Sequence, residues 1–174
     1  MVLPSSVGAT VAPVSVRPSL HKAALAVAMF LGLQPILTDL YLPALPALTL
    51  DLAAQSAAPM ASVQLTMSVF MLAFGLTQIV WGPVADRFGR RPTLLASLSV
   101  LLVASVAAAL TSSIEALVAA RAAQGATVSA VVMCGRASVR ELYEPAQGAR
   151  VMSLGLSGLG VLAIASPIVG GLLA

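Results

Sequence analysis

Three polar side chains interrupt otherwise apolar stretches and are the residues best suited to carry chemistry. Asp39 lies near the end of one such stretch, and Arg121 and Gln124 lie together near the start of another. Ionisable groups are costly inside a membrane and usually face a bundle interior or a cavity. A substrate or a moving guanidinium can change the proton affinity of a nearby carboxylate. We therefore predict that Asp39 takes up and releases a proton and that Arg121 and Gln124 modulate this proton coupling.

The positions of these residues support that prediction. At 1.5 Å per helical residue, Asp39 lies about 6 Å and Arg121 about 9 Å below the outer membrane boundary, so the two are at similar depths. Gln124 lies one turn from Arg121 on the same helix face and could share its hydrogen bonds. Two structural alternatives remain: Asp39 could cap a helix end at the interface, and Arg121 could belong to a structural ion pair.

A second group of charged residues joins two long apolar stretches. Its sequence is Gly82-Pro83-Val84-Ala85-Asp86-Arg87-Phe88-Gly89-Arg90-Arg91-Pro92. Glycines allow a sharp return of the chain, and arginines hold a turn at an anionic membrane face. A carboxylate beside a helix end can bias a conformation through the helix dipole. The pattern predicts a gating loop that contains Gly82, Asp86, Arg87, Gly89, Arg90 and Arg91. Alternatively, the loop only anchors the topology.

A stripe of side chains at spacings of four, three and four, typical of one helix face, consists of Met67, Met71, Phe74 and Gln78. Adaptable apolar groups with few polar ones suit a cavity for varied ligands. We predict that this stripe and Gln34 line a substrate cavity. Packing against other helices or lipid is the alternative.

Enzyme chemistry has no support in the sequence. His21 and Cys134 are the single histidine and cysteine, so no spacing indicates a metal site or a disulfide. No nucleophile is paired with a base. We expect neither catalysis nor a cofactor nor a metal, and we interpret the basic excess through its distribution in a membrane rather than as nucleic-acid binding.

The elements that must position these residues are membrane helices. The 174 residues are 59% hydrophobic and only 9% charged, with a mean hydropathy of +1.02. Stretches of about 20 apolar residues span a bilayer, and they must be helical to satisfy the backbone. We predict an all-α integral membrane chain with a transmembrane domain over 21–174 and spans at about 23–43, 62–83, 93–111, 115–135 and 151–174. Residues 1–20 are predicted to be a disordered cytoplasmic tail, and 23–33 could instead be a signal-peptide core.

The distribution of positive charge predicts the orientation. Eight of the nine lysines and arginines precede the first span or fall between spans two and three or four and five, whereas the opposite loops contain none. Cytoplasmic loops carry the excess of such residues. The amino terminus should therefore be cytoplasmic in a multi-pass protein of the cell inner, or plasma, membrane. Only Arg121 lies within a span.

The number of spans suggests that part of a larger molecule is present. Many transporters repeat three-helix units with inverted topology, and a sixth span would complete two units. We expect the chain to be a fragment of a transporter. A truncated product that transports nothing, or a subunit that needs a partner, is the alternative.

Several motifs resemble the major facilitator superfamily. Residues 82–91 match its loop motif between helices two and three, and Arg121-Ala122-Ala123-Gln124-Gly125 resembles its fourth-helix motif. Two further stretches resemble the bicyclomycin and chloramphenicol resistance branch of the drug:proton antiporters: Thr38-Asp39-Leu40-Tyr41-Leu42-Pro43-Ala44-Leu45-Pro46 and Ser166-Pro167-Ile168-Val169-Gly170-Gly171.

The resemblance implies five helices of an incomplete amino-terminal six-helix half. It also implies export of small amphipathic antibiotics by proton antiport, with substrate, protons, the bilayer and a missing carboxyl-terminal half as partners. A metabolite or sugar facilitator of the same superfamily is the alternative. Pro167, Gly170 and Gly171 keep the helix-five motif, but Ser166 and Leu162 stand where the antiporter pattern has glycine. The remaining glycines could simply serve helix packing.

Overall fold

A computed structural model describes residues 19–51 and 58–173. All regular structure in these ranges is helical: α1 Leu20–Asp39, a short 3-10 helix Leu42–Ala44, α2 Leu45–Asp51, α3 Pro59–Phe88, α4 Arg90–Leu110, α5 Ile114–Leu142 and α6 Pro145–Leu173. Five helical stretches in the described ranges are long and apolar enough to cross a membrane. The predicted all-α membrane class with five spans is confirmed.

Local sequence signals define the ends of these helices. Pro59 opens α3 at a position where a missing N–H costs nothing. The Ser113 hydroxyl accepts a bond of 3.2 Å from the Ala116 amide and caps α5. Pro43 lies near the start of the 3-10 helix that connects the end of α1 to α2. The segment 44–61, which separates the first two predicted spans, includes a short helix, α2, and its residues 52–57 lie outside the described ranges.

Two sequence-based boundaries need correction. The predicted loop at 82–92 is almost entirely helical, since α3 continues through Phe88 and α4 starts at Arg90. Only Gly89, with φ of 89°, forms the turn, and that φ favours glycine. Of the tail predicted over 1–20, residues 1–18 lie outside the described ranges, whereas Leu20 already belongs to α1.

Helix α5 is the centre of the bundle. Two thirds of its most apolar window is buried, whereas no other span exceeds one third. It packs against α1, α3 and α4, and α6 packs mainly on α1. Buried valines hold this centre together, among them Val128 and Val132 of α5 with Val27 of α1 and Val151 of α6.

Side-chain contacts place the helix ends. Arg90 at the start of α4 pairs with Glu141 at the end of α5 at 2.6 Å, and Lys22 of α1 shares a cavity with Leu142 of α5. At the other end of the bundle, Val63 of α3 packs with Leu117 of α5. In the described ranges, the cationic residues at the start of α1, around the α3–α4 junction and at the end of α5 therefore lie at the same end of the bundle.

Candidate functional site

Arg121 and Gln124 of α5 form one hydrogen-bonded unit. Nη1 of Arg121 donates to Oε1 of Gln124 at 3.2 Å, and Nε2 of Gln124 donates to the Ser105 hydroxyl of α4 at 3.0 Å. Both side chains are almost fully buried, at 5% and 3% exposure. The sharing of hydrogen bonds predicted from their i, i+3 spacing is confirmed. Ser105, which the sequence did not indicate, joins the unit to α4.

Arg121 also holds the carboxyl end of α1. Its Nη1 donates to the Leu37 carbonyl oxygen at 3.2 Å, one of the last carbonyls of that helix. Cations stabilise helix carboxyl ends because of the orphan carbonyls and the helix dipole. The guanidinium therefore caps α1 from a neighbouring helix, and its Nε donor is buried without a partner among the described residues.

Tyr41 covers this guanidinium. The Arg121 carbon Cζ lies 3.4 Å from the centroid of the Tyr41 ring, a close cation–π contact. The Tyr41 hydroxyl lies 2.9 Å from the hydroxyl of Thr66, a buried residue of α3. Tyr41 comes just after α1, where the chain turns into the 3-10 helix. The sequence indicates Tyr41 only as part of the stretch 38–46, because its partners lie far away in the chain.

Asp39 has different neighbours. Its carboxylate accepts from the Thr38 hydroxyl at 3.3 Å and, at the long limit of 3.5 Å, from the Ser166 hydroxyl of α6. Among the described residues, the ion pair within 4.0 Å is Arg90–Glu141, so Asp39 and Arg121 are not directly paired. They are nevertheless close in the fold, because Arg121 contacts Leu37 and Tyr41, the residues on either side of Asp39. Ser166, which departs from the antiporter pattern, therefore brings a hydroxyl towards Asp39.

Two cavities lie on different sides of α1. The first, of about 310 Å³, is lined by α1, α2, α4 and α5 and includes Tyr41, Arg121 and Gln124. The second, of about 210 Å³, is lined by α1, α3, α5 and α6. Three of the five predicted cavity residues, Gln34, Phe74 and Gln78, line the second. Met67 and Met71 line neither of these cavities, and Met71 is 43% exposed.

The α3–α4 junction contains the charged motif. Asp86, Arg87 and Arg91 are exposed at this junction, and Arg87 lies 5.6 Å from the ring of Phe88. Gly82 is an interior helix residue, and a Cβ there would lie 3.3 Å from the end of the Met133 side chain. Only Arg90 is fixed across helices, through Glu141. The structure therefore gives α4 and α5 a shared charged end.

The helix-five motif lies in the carboxyl-terminal half of α6. Pro167 is inside this helix and exposed, and a Cβ on Gly171 would meet nothing within 4 Å. Gly170 is helical. Among the α6 glycines whose surroundings the structure describes, Gly155 has the closest contact, since a Cβ there would lie 2.8 Å from Val27 of α1. A Cβ on Gly158 would lie 3.4 Å from Ala28, so these two earlier glycines let α6 approach α1 closely.

Curated relatives include several resistance proteins. The chain is 36% identical over 134 residues to multidrug resistance protein D of Escherichia coli K12, covering 77% of the chain and 33% of that protein. It is 33% identical over 158 residues to a chloramphenicol resistance protein of Pseudomonas aeruginosa, covering 90% and 36%. It is 33% identical over 141 residues to a bicyclomycin resistance protein homolog of Haemophilus influenzae, covering 80% and 34%.

The similarity to these relatives covers most of this chain but only part of each relative. The chain spans about a third of the length of these relatives. Residues 23–174 match the Major Facilitator Superfamily as a whole. With five apolar helices of spanning length, this is a multi-pass membrane protein. The chain belongs to the Major Facilitator Superfamily.

Proposed function

We propose that this chain forms the amino-terminal part of an efflux transporter that exports small amphipathic antibiotics in exchange for protons. It lies in the cell inner, or plasma, membrane with its amino terminus in the cytoplasm. Its partners are the substrate, protons, the lipid bilayer and a carboxyl-terminal half. Three relatives are named for multidrug, chloramphenicol and bicyclomycin resistance, which supports this class of substrate.

The arrangement at the outer end of α1 is the observation that carries the proposal. Arg121 binds the Leu37 carbonyl, and two residues further on Asp39 approaches α6 through Ser166. A buried cation and a titratable carboxylate thus share one helix end but have different partners. Protonation of Asp39 removes its charge, which weakens its hold on Ser166 and changes the field at Arg121. Proton binding can in this way alter the contacts of α1.

The remaining residues receive roles in the same cycle. Gln124 orients Arg121, and Gln34, Phe74 and Gln78 form part of the substrate cavity. Asp86 acts as a latch at the α3–α4 junction, towards a helix outside this chain, while Arg87, Arg90 and Arg91 keep the junction at the cytoplasmic face. Pro167, with Gly170 and Gly171, gives the outer half of α6 a point of bending.

Everted membrane vesicles test the proposal. Adding chloramphenicol to vesicles that contain the complete transporter and hold an established pH gradient should dissipate the gradient, and Asp39→Asn should abolish this response. Glu115→Gln is the matched control, because it removes another carboxylate, exposed in the first turn of α5. If Asp39→Asn behaves like the unaltered protein, Asp39 is an interfacial cap and the coupling assignment is wrong. Transport that persists in Asp39→Asn without a gradient would instead indicate a facilitator.

A further inference from the structure

The cavity between α1, α3, α5 and α6 has an unbalanced charge. Its polar lining consists of the amides of Gln34 and Gln78 and the guanidinium of Arg136, and the other lining residues are Leu31, Pro35, Phe74, Val132, Leu156 and Leu159. No carboxylate is among them. The described part of the chain thus gives this cavity one cation and two neutral amides against an apolar wall.

Nearby acids do not neutralise Arg136. Glu141, on the same helix, is already bound to Arg90 at 2.6 Å. Asp39 follows Pro35 by one helical turn, about 6 Å further towards the outer end, and its carboxylate lies near Ser166. The one ion pair among the described residues does not include Arg136. The donors of this guanidinium thus remain available to a ligand in the cavity.

The walls of the cavity are held in place. On α3, the residues flanking Gln78 are fixed to α5: the Thr77 hydroxyl lies 2.6 Å from that of Ser129, and the Trp81 indole donates to the Ala126 carbonyl at 2.7 Å. On α1, Leu31 belongs to the buried core. These contacts hold α1, α3 and α5 beside the cavity, so the backbone positions that carry Gln34, Gln78 and Arg136 keep a defined spacing.

We infer that this cavity selects amphipathic ligands that carry a carboxylate or another strong hydrogen-bond acceptor and discriminates against cations, with Arg136 as the residue that reads the acceptor. The inference rests on the substrate cavity of the proposed function and adds the charge class of the ligand. A guanidinium offers several donors to a carboxylate in a fixed fork. The apolar body of the ligand would lie against Phe74 and the leucines of α6.

Binding, rather than transport, tests this inference. The probes are two dansyl amphiphiles with the same eleven-carbon chain, one ending in a carboxylate and one in a trimethylammonium group, added to the purified chain in neutral detergent. Dansyl fluorescence polarisation gives both affinities. We expect the carboxylate probe to bind about 3- to 10-fold more tightly, the range of a partly solvated charged hydrogen bond. Arg136→Gln should remove the preference, and Arg136→Glu should reverse it.

Two further variants make the test specific. Arg136→Lys should keep part of the preference, since charge remains but the fork is lost. Arg136 and Arg140 are both exposed cations of α5 one turn apart, but only Arg136 lines this cavity, so Arg140→Gln should leave the preference intact. A preference that survives Arg136→Gln, or one that Arg140→Gln abolishes equally, overturns the inference. If the unaltered transporter gives no pH-gradient response but the binding preference is observed, proton antiport is rejected and the inference about the cavity stands.

Discussion

Tyr41 is held on two sides, at the end of the bundle where α1 ends and α5 begins. The Thr66 hydroxyl donates to the Val63 carbonyl at 2.6 Å, so its oxygen accepts the Tyr41 proton. The ring face meanwhile lies against Arg121. One side chain after α1 therefore ties that helix end to α3 and α5.

This geometry predicts a graded response to substitution. Tyr41→Phe removes one buried hydrogen bond and should lower the free energy of unfolding by about 1 kcal/mol. Tyr41→Leu also removes the cation–π contact and should cost about 2 kcal/mol more, because the guanidinium is buried. Unfolding of the purified protein in mixed micelles by added SDS measures both. In a Thr66→Val background, Tyr41→Phe should have no further effect; an equal loss in both backgrounds contradicts the proposed bond.

Only part of this cluster could be predicted from the sequence. Arg121 and Gln124 are three residues apart on one helix, so helical spacing alone brings them together. Tyr41 and Thr66 are 25 residues apart, and Arg121 lies 84 residues from Leu37. Such contacts depend on which helices pack and at what rotation, and apolar stretches without strong periodicity do not encode that. For the same reason, the sequence could not predict that Asp39 and Arg121 have different partners.

At the scale of helices, the crossing of α3 and α5 depends on Gly125. A Cβ at this position would overlap the Phe70 carbonyl group of α3. Phe70 is fully buried, so neither backbone can yield without disturbing the centre of the bundle. Small residues let membrane helices approach closely, and this contact uses that freedom next to the Arg121–Gln124 unit.

Gly125→Ala should therefore separate two helices that position the site. We expect a loss of about 1–3 kcal/mol in the free energy of unfolding, the usual cost of overpacking, measured by the same SDS titration. Gly75→Ala in α3 is the matched control, because a Cβ there meets nothing within 4 Å. The control should be neutral or slightly stabilising, since alanine favours helix. Equal effects of the two substitutions would show that the close approach is unimportant.

The α3–α4 junction shows where sequence patterns mislead about element boundaries. Glycine, proline and charge at 82–92 predict a loop in a soluble protein. Here α3 contains Pro83 and continues to Phe88. Membrane helices tolerate proline and glycine because neighbouring groups satisfy the freed backbone. The reversal then needs only Gly89, and the Arg90–Glu141 pair fixes the first turn of α4 to the end of α5.

For the molecule as a whole, the bundle separates charge between its two ends. Lys22 at the start of α1 lines the same cavity as Leu142 at the end of α5, and Arg90 at the start of α4 binds Glu141 of α5. These contacts bring three cationic segments to one end of the bundle. The sequence alone predicted that these segments share a side, from alternating crossings. The opposite end, with Tyr41 and the capped start of α5, contains no lysine or arginine outside the spans in the described ranges.

This asymmetry predicts the orientation in the membrane, because cytoplasmic segments carry the excess of lysine and arginine. Cys134 is buried at 2% exposure, and Cys134→Ala gives a background without cysteine. Single cysteines are then placed at two exposed positions, Ser112→Cys before α5 and Glu144→Cys before α6. A membrane-impermeant maleimide should label the first in intact cells and the second only in everted vesicles. Both should react after denaturation in SDS, which controls for intrinsic reactivity.

The reverse labelling pattern would place the amino terminus outside, and with it Asp86 and the other charged groups of the α3–α4 junction. In that orientation the junction could not act as a cytoplasmic latch.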